Sequence, residues 1–248
     1  MSTQDQDRIR QIEHASLRAW SALEDQPYDG WRLRYSKGYT GRANSVQALD
    51  RSILPIAQKI AYCEAWYRQR GLPTRFRLTA AMQPPDLDDI LQQRGYRRYN
   101  ETIVQTCDLH AHTWHSDDRF YHQPQVRDRW LTRFAILNAL PSEHVATARA
   151  MLQQTTAQMC YGWLGQQAVG LAVRDGEWVG LFDIVVHPDY RQQGIGQALV
   201  QSLLAWGRDQ GATHAYLQVV GANVPAIALY RKLGFAEHHR YWYRTDAD

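Results

Sequence analysis

The segment Val185-Val186-His187-Pro188-Asp189-Tyr190-Arg191-Gln192-Gln193-Gly194-Ile195-Gly196-Gln197-Ala198-Leu199 does most to limit what this chain can become. An extended apolar run meets a proline turn, and two glycines follow one residue apart. Apolar residues then recur at Ile195, Leu199, Leu203 and Trp206, one face of a helix that Gly211 stops. A strand that turns sharply into a helix predicts an α/β (α+β) chain. The first amide N–H groups of such a helix have no intrahelical partner and carry about half a positive charge. Glycine at 194 and 196 leaves no Cβ to shield those donors, and Arg191 adds a full charge, so the expected ligand carries phosphate.

Periodicity places more elements around this one. Residues 159–164, 168–174 and 178–186 read as strands, 195–209 as a helix, 215–219 as a short apolar strand, and 240–243 as the last strand. Residues 129–154 read as helical, broken near Pro141. A further helix starts at Asn223, a good N-cap, with Pro225 in its first turn, and stops at Gly234. The N-terminal half repeats part of this order. A shift of 140 positions lays Ala65-Trp66-x-Arg68-x-x-Gly71 on Ala205-Trp206-x-Arg208-x-x-Gly211, and one residue of slippage then lays Leu91-x-x-x-Gly95-Tyr96 on Tyr230-x-x-x-Gly234-Phe235. Where the second copy has Gly194-Ile195-Gly196, the first has Leu54-Pro55-Ile56. Residues 109–125 are polar and aperiodic and read as a linker. Their four histidines and two aspartates include no ligand pair at helical spacing, so no metal is expected.

Composition excludes several classes. Of 248 residues, 44% are apolar and 21% charged, which is globular rather than disordered or fibrous. A net charge of +3, spread along the chain, argues against a nucleic-acid partner. No apolar run approaches a bilayer span, and the start MSTQDQDRIR lacks the apolar core of a signal peptide, so no membrane partner and a cytoplasmic location are expected. The three separated cysteines read as reduced, buried thiols.

The turn does not fit a P-loop, because Gln197-Ala198 stands where Lys-Ser/Thr is needed. Nor does it fit a dinucleotide fingerprint, because Leu199 stands where a third glycine or alanine is needed. The Arg191-x-x-Gly194-x-Gly196 spacing resembles the acyl-CoA loop of the GNAT superfamily of N-acetyltransferases. Downstream, Asn223-Val224-Pro225-Ala226-Ile227-Ala228-Leu229-Tyr230-Arg231-Lys232-Leu233-Gly234-Phe235 resembles that superfamily's second signature. As a whole the chain resembles tandem-GNAT proteins with a degenerate N-terminal copy.

The resemblance implies two GNAT-like domains, 1–109 without a CoA loop and 126–248 catalytic, joined by 110–125. Each would be a mixed, mostly antiparallel sheet flanked by helices, with a splayed parallel strand pair in the second forming the acyl-CoA cleft. It implies acetyl-CoA as co-substrate, with pantetheine along Ile184, Val185 and Val186. The diphosphate would lie on Arg191, Gln192, Gln193, Gly194, Ile195, Gly196 and Gln197, with Asn223 and Tyr230 nearby. Tyr230 would protonate the departing thiolate. The base is open: related ribosomal-protein alanine acetyltransferases carry a glutamate where this chain has Gln218, leaving Asp183, His187 or His214. The expected acceptor is a small-molecule primary amine, touched by Arg42, Asn44, Ser45 and Gln218, and the protein a monomer or homodimer. A non-catalytic acyl-CoA sensor and a protein N-terminal acetyltransferase are the alternatives. In the segment 31–45, a strand hairpin with core aromatics and solvated arginines is the competing reading to acceptor contacts.

Overall fold

The computed structural model describes residues 2–246. In chain order the elements are α1 (Thr3–Ala19), β1 (Glu24–Tyr28), β2 (Trp31–Tyr35), β3 (Val46–Gln47), α2 (Ile56–Arg68), β4 (Arg75–Thr79), α3 (Leu87–Gln93), β5 (Arg97–Asp108), β6 (Phe120–Gln123), α4 (Asp128–Leu137), α5 (Ser142–Gln154), β7 (Gln158–Leu164), β8 (Ala168–Asp175), β9 (Trp178–Val186), α6 (Ile195–Asp209), β10 (His214–Val220), α7 (Val224–Lys232) and β11 (Ala236–Thr245). The strands form one sheet in the order β1-β2-β3-β4-β11-β5-β10-β9-β8-β7-β6.

This corrects the expectation of two separate sheets. Strand β5 comes from the N-terminal half but lies beside β10, and the C-terminal strand β11 lies beside β4. Strands β5 and β11 pair with each other near the centre, and the pairing pattern on their two sides matches apart from the extra edge strand β6, with β3 parallel to β4 on one side and β9 parallel to β10 on the other. Residues 110–125 are also more than a linker. Strand β6 pairs antiparallel with β7, and Trp114 is buried with its indole N–H donating to the Leu109 carbonyl.

Alternation of side chains across the sheet separates two cores around the C-terminal half. Val179 and Leu181 of β9 and Ala215, Leu217 and Val219 of β10 face α6, where they meet Leu199, Leu203 and Leu204. Trp178, Phe182 and Tyr216 face the opposite side, with α4, α5 and α1. Helix α1 therefore crosses from the N-terminal half onto the face of β8 and β9, bringing Ile12, Ala15 and Trp20 into that core. A third cluster packs α2 and α3 on β2–β4. The hairpin reading of residues 31–45 holds for Trp31 and Leu33, both fully buried. It fails for Arg34, which is buried against Asp25. All three cysteines are buried and free. Burial pushes Cys63 up to about 12 and Cys107 to about 11, which leaves neither a thiolate at neutral pH.

One buried polar network ties α1 to the sheet centre. The Glu13 carboxylate pairs with the Arg77 guanidinium and accepts from His239 Nε2 at 2.8 Å, while Arg77 stacks 3.6 Å from the Tyr241 ring centre. Burial opposes the Glu13 charge, yet Arg77 and His239 hold its carboxyl at about 2. That depression contributes stability present above about pH 4.5 and lost as the pH falls toward 2. Glu13→Gln is expected to lower unfolding free energy by about 3–5 kcal/mol in urea at pH 7, because it leaves Arg77 buried without a carboxylate. A loss under about 1 kcal/mol would contradict that assignment.

Candidate active site

The parallel ladder between β9 and β10 ends at Leu181 opposite Leu217. Beyond that point β9 runs on to Val186 and β10 to Val220 with no register between them, while β9 keeps β8 as partner through Val185 and Val186. The other edge of Ile184–Val186 is thus a strand edge without a strand. Backbone amides there demand hydrogen bonds, and an extended ligand carrying amides satisfies them as an added strand.

At the far end of that edge the chain turns through residues 188–190 and enters α6 at Gly194. Gly194 has φ +79°, a left-handed conformation that costs other residues about 1–2 kcal/mol, and a Cβ there would meet nothing within 4 Å. The first intrahelical bond runs from Ala198 N–H to the Gly194 carbonyl, so the amides of Ile195, Gly196 and Gln197 precede the ladder. Gly196 sits where α6, α7 and β9 converge: its Cβ would lie 3.4 Å from Leu229 and from Val186. Arg191 donates from Nε to the Val186 carbonyl at 3.3 Å, which holds its exposed side chain against the end of β9. Gln193 donates to the Asp189 carbonyl at 2.9 Å, and Gln192 takes φ +61°. The Ile195 side chain is buried and anchors the helix start to the core. The chain thus turns here into α6 with its first-turn amides ahead of the helical ladder.

Asp183 lies where the β8–β9 register slips, one residue after Phe182 pairs with Leu171 and before Val185 pairs with Val169. The bulge gives it φ +52°, and its Oδ2 is buried with no partner. Burial raises its carboxyl to about 7, with Arg42 pulling the other way. Arg42, 141 positions earlier, donates to Gln218 Oε1 at 3.0 Å, and its guanidinium lies 5.1 and 5.3 Å from the Trp20 and Phe182 ring centres. Gln218 also accepts from Tyr241 at 3.3 Å and donates to Ser16 at 2.7 Å. The structure therefore brings Asp183, Arg42 and Gln218 together. Asn44 and Ser45 do not join them. Asn44 spends its amide on the backbone of Ser36, Gly38, Tyr39 and Thr40, and Ser45 bonds the Gly41 carbonyl and Gln47, so both shape the loop that carries Arg42.

The two histidines open as bases lie elsewhere. His214 starts β10, opposite Trp178 at the closed end of the ladder, and His187 accepts from Asp189 N–H in the turn. On α7, Asn223 caps the helix by accepting from Ala226 N–H at 3.3 Å, which leaves its side-chain N–H₂ to donate. Tyr230 is buried against Phe235, and burial pushes its phenol up to about 12.

Comparison with known proteins decides the family. The family model described as "Probable histone acetyltransferase Rv0428c C-terminal" matches residues 6–244. The chain belongs to this family, and it is an N-acetyltransferase of GNAT type. It is 29% identical over 245 residues to the "Uncharacterized N-acetyltransferase YobR" of Bacillus subtilis, covering 94% of this chain and 98% of that one. Over 69 residues, 27% of this chain and 47% of the relative, it is 42% identical to the "[Ribosomal protein bS18]-alanine N-acetyltransferase" of Escherichia coli. A solved GCN5-related N-acetyltransferase from Kribbella flavida superposes with a TM-score of 0.68 at 11% identity, covering 96% and 95% of the two chains.

Sequence reasoning missed two of three residues that surround Asp183 and Gln218 in this acetyltransferase, and named the third, Tyr39, only as part of the segment 31–45. Trp20 stacks on Phe182 at 5.6 Å, Ser16 holds Gln218, and Tyr39 feels the charge of Asp183. Ser16 and Trp20 lie on or next to α1, whose contact with the C-terminal half is nonlocal and leaves no local signal. Among the described residues of the acetyltransferase, no group of three metal-ligating side chains occurs, and no helix is long and apolar enough to cross a membrane.

Proposed function

We propose that the enzyme transfers an acetyl group from acetyl-CoA to the primary amine of a small molecule, by direct attack in a ternary complex. The observation that carries this reading is the unpaired edge of Ile184–Val186, flanked by the first-turn amides of α6 at one end and by the buried Asp183 Oδ2 at the other. Pantetheine amides fit that edge, and the diphosphate fits the amides of Ile195, Gly196 and Gln197 with Arg191 beside them. Val185 N–H is the candidate donor to the oxyanion.

Asp183 takes the proton from the acceptor ammonium. The free amine then forms its bond to the thioester carbon as the carbon–sulfur bond breaks, and the second amine proton leaves as the thiol forms. A base near 7 suits this work. It sits about one unit below an α-ammonium, a cost of about 1.4 kcal/mol, against about 4.6 kcal/mol for a lysine-like amine near 10.4. Among acceptors held alike by the site, those of low pKa are favoured accordingly. Tyr230, at about 12, lies roughly 3.5 units above a thiol near 8.5, so full proton transfer to sulfur is uphill by about 5 kcal/mol. Its role is a hydrogen bond to the developing thiolate. Tyr230→Phe should lower kcat by about tenfold or more with CoA affinity within about twofold of wild type. Unchanged kcat with chemistry rate-limiting would remove Tyr230 from the mechanism.

The matching pairing pattern on the two sides of β5 and β11 and the offset-140 repeat support reading the N-terminal half as a second copy that lost its glycine turn and its tyrosine. Its place here is to wall the acceptor side through α1 and the Arg42 loop. Thiol release from acetyl-CoA over an amine panel tests the function. Release that depends on a small amine supports it, and CoA binding without release with any amine favours an acyl-CoA sensor.

A further inference from the structure

Three arginines around the two halves' junction are buried, and each has a carboxylate. Arg34 meets Asp25 at 3.4 Å, Arg77 meets Glu13, and Arg244 meets Asp88 at 2.9 Å. Such pairing is expected, because a guanidinium withdrawn from water is costly without an anion. Half-buried Arg42 has none. Among the described residues its only hydrogen-bonded side-chain partner is the neutral Gln218, and two aromatic rings cover it. Facing the same space, Asp183 Oδ2 is buried with no partner. The two charges act on one another, yet no ion pair joins them. Each is thus missing an opposite charge, and each is held in place: Asp183 by the bulge, Arg42 by Gln218 and by its loop. That loop is in turn fixed by Asn44 and by Arg34 Nη1, which donates to the Arg42 carbonyl at 3.2 Å. A fixed guanidinium with an unfilled fork is suited to bidentate capture of a carboxylate.

We propose that the acceptor is a small amino carboxylic acid, its carboxylate bound by Arg42 and its amine delivered to Asp183. This rests on the acetyl-transfer reading above and names the acceptor class for that site. The arrangement also assists the chemistry. An acceptor's carboxylate holds the proton on its own ammonium, and Arg42 neutralises that field, so the ammonium yields its proton to Asp183 more readily. Gln218 fits the same role: an amide carbonyl orients Arg42 without neutralising it, as a glutamate at that position would.

The test compares free amino acids with their matched carboxamides as acceptors, following thiol release from acetyl-CoA, while calorimetry measures CoA binding on the same preparations. The expected wild-type kcat/KM favours acids over carboxamides by about thirtyfold or more. Arg42→Gln should bring that ratio near one, Arg42→Lys should restore part of it, and CoA affinity should hold in both, which certifies the fold. Equal use of acids and carboxamides by wild type, turnover of neither in a protein that binds CoA, or a ratio undisturbed in Arg42→Gln overturns the proposal. Failure to bind CoA at all overturns instead the acetyl-transfer reading on which it stands.

Discussion

Asp183→Asn is expected to lower kcat/KM for acetyl transfer by about 10²–10⁴-fold, the range that a positioned general base contributes, with CoA affinity unchanged. The wild-type profile should rise tenfold per pH unit below about 7 and level above it, since Asp183 accepts a proton only when ionised. The variant should lose that inflection. Stability should move the other way. Between the ordinary carboxyl value of 3.8 and about 7, the native state holds a proton on Asp183 that the unfolded chain has released, so native stability falls as pH rises through that window. The cost in place above pH 7 is on the order of 4 kcal/mol. Asparagine carries no such charge and tolerates the positive φ of this position, so the variant should unfold at a higher temperature at pH 8. A dead enzyme with a raised Tm separates a base from a structural carboxylate. A variant that keeps its activity and its pH inflection would show that the base lies elsewhere.

The second large effect is expected at Gly196. A Cβ there makes contacts of 3.4 Å with Leu229 and Val186, so the fold accepts a side chain, and a carboxylate in the first turn of α6 favours the helix by about 0.3–1 kcal/mol. The same carboxylate competes for the amides of the first turn and repels a diphosphate. Gly196→Glu should therefore weaken CoA binding by about 100-fold or more with a Tm equal to or above wild type. Gly196→Gln, of similar bulk without the charge, should lose much less. Equal losses from the two variants would mean that bulk alone decides and would detach the diphosphate from the amides.

The C-terminal half was legible because its elements carry local signals. Residues 195–209 combine a glycine start, an apolar face and a glycine stop, and the helix occupies that span. The strands expected at 159–164, 168–174 and 178–186 appear within a residue at either end, since each alternates or runs apolar between turn residues. Strand β6 was hidden in the segment read as linker. It is four residues long, polar on average, and made a strand only by the edge of β7. The exchange of β5 and β11 across the centre is a pairing between residues far apart in sequence, which no local period encodes. Helix α1 is understated by its apolar pattern because its buried stripe includes Glu13 and Ser16, whose partners are supplied by β4, β11 and β10.

The site divides along the same line. The glycine turn and Asn223 are visible because they are local backbone devices with fixed spacing. The bulge at Asp183 was not visible: nothing in Phe182-Asp183-Ile184 shows that β8 slips register there. The link from Arg42 to Gln218 joins a loop of one half to a strand of the other, and it exists only because α1 and β11 bring the halves together.

The central claim is that the bare amides at the start of α6 hold the diphosphate of coenzyme A. A crystal of the protein soaked with CoA tests it most directly. Phosphate oxygens should lie about 2.7–3.2 Å from backbone nitrogens of Ile195, Gly196 or Gln197, with the pantetheine amides paired to the free edge of Ile184–Val186. Density for CoA elsewhere, or a diphosphate that avoids the α6 start, would contradict the account.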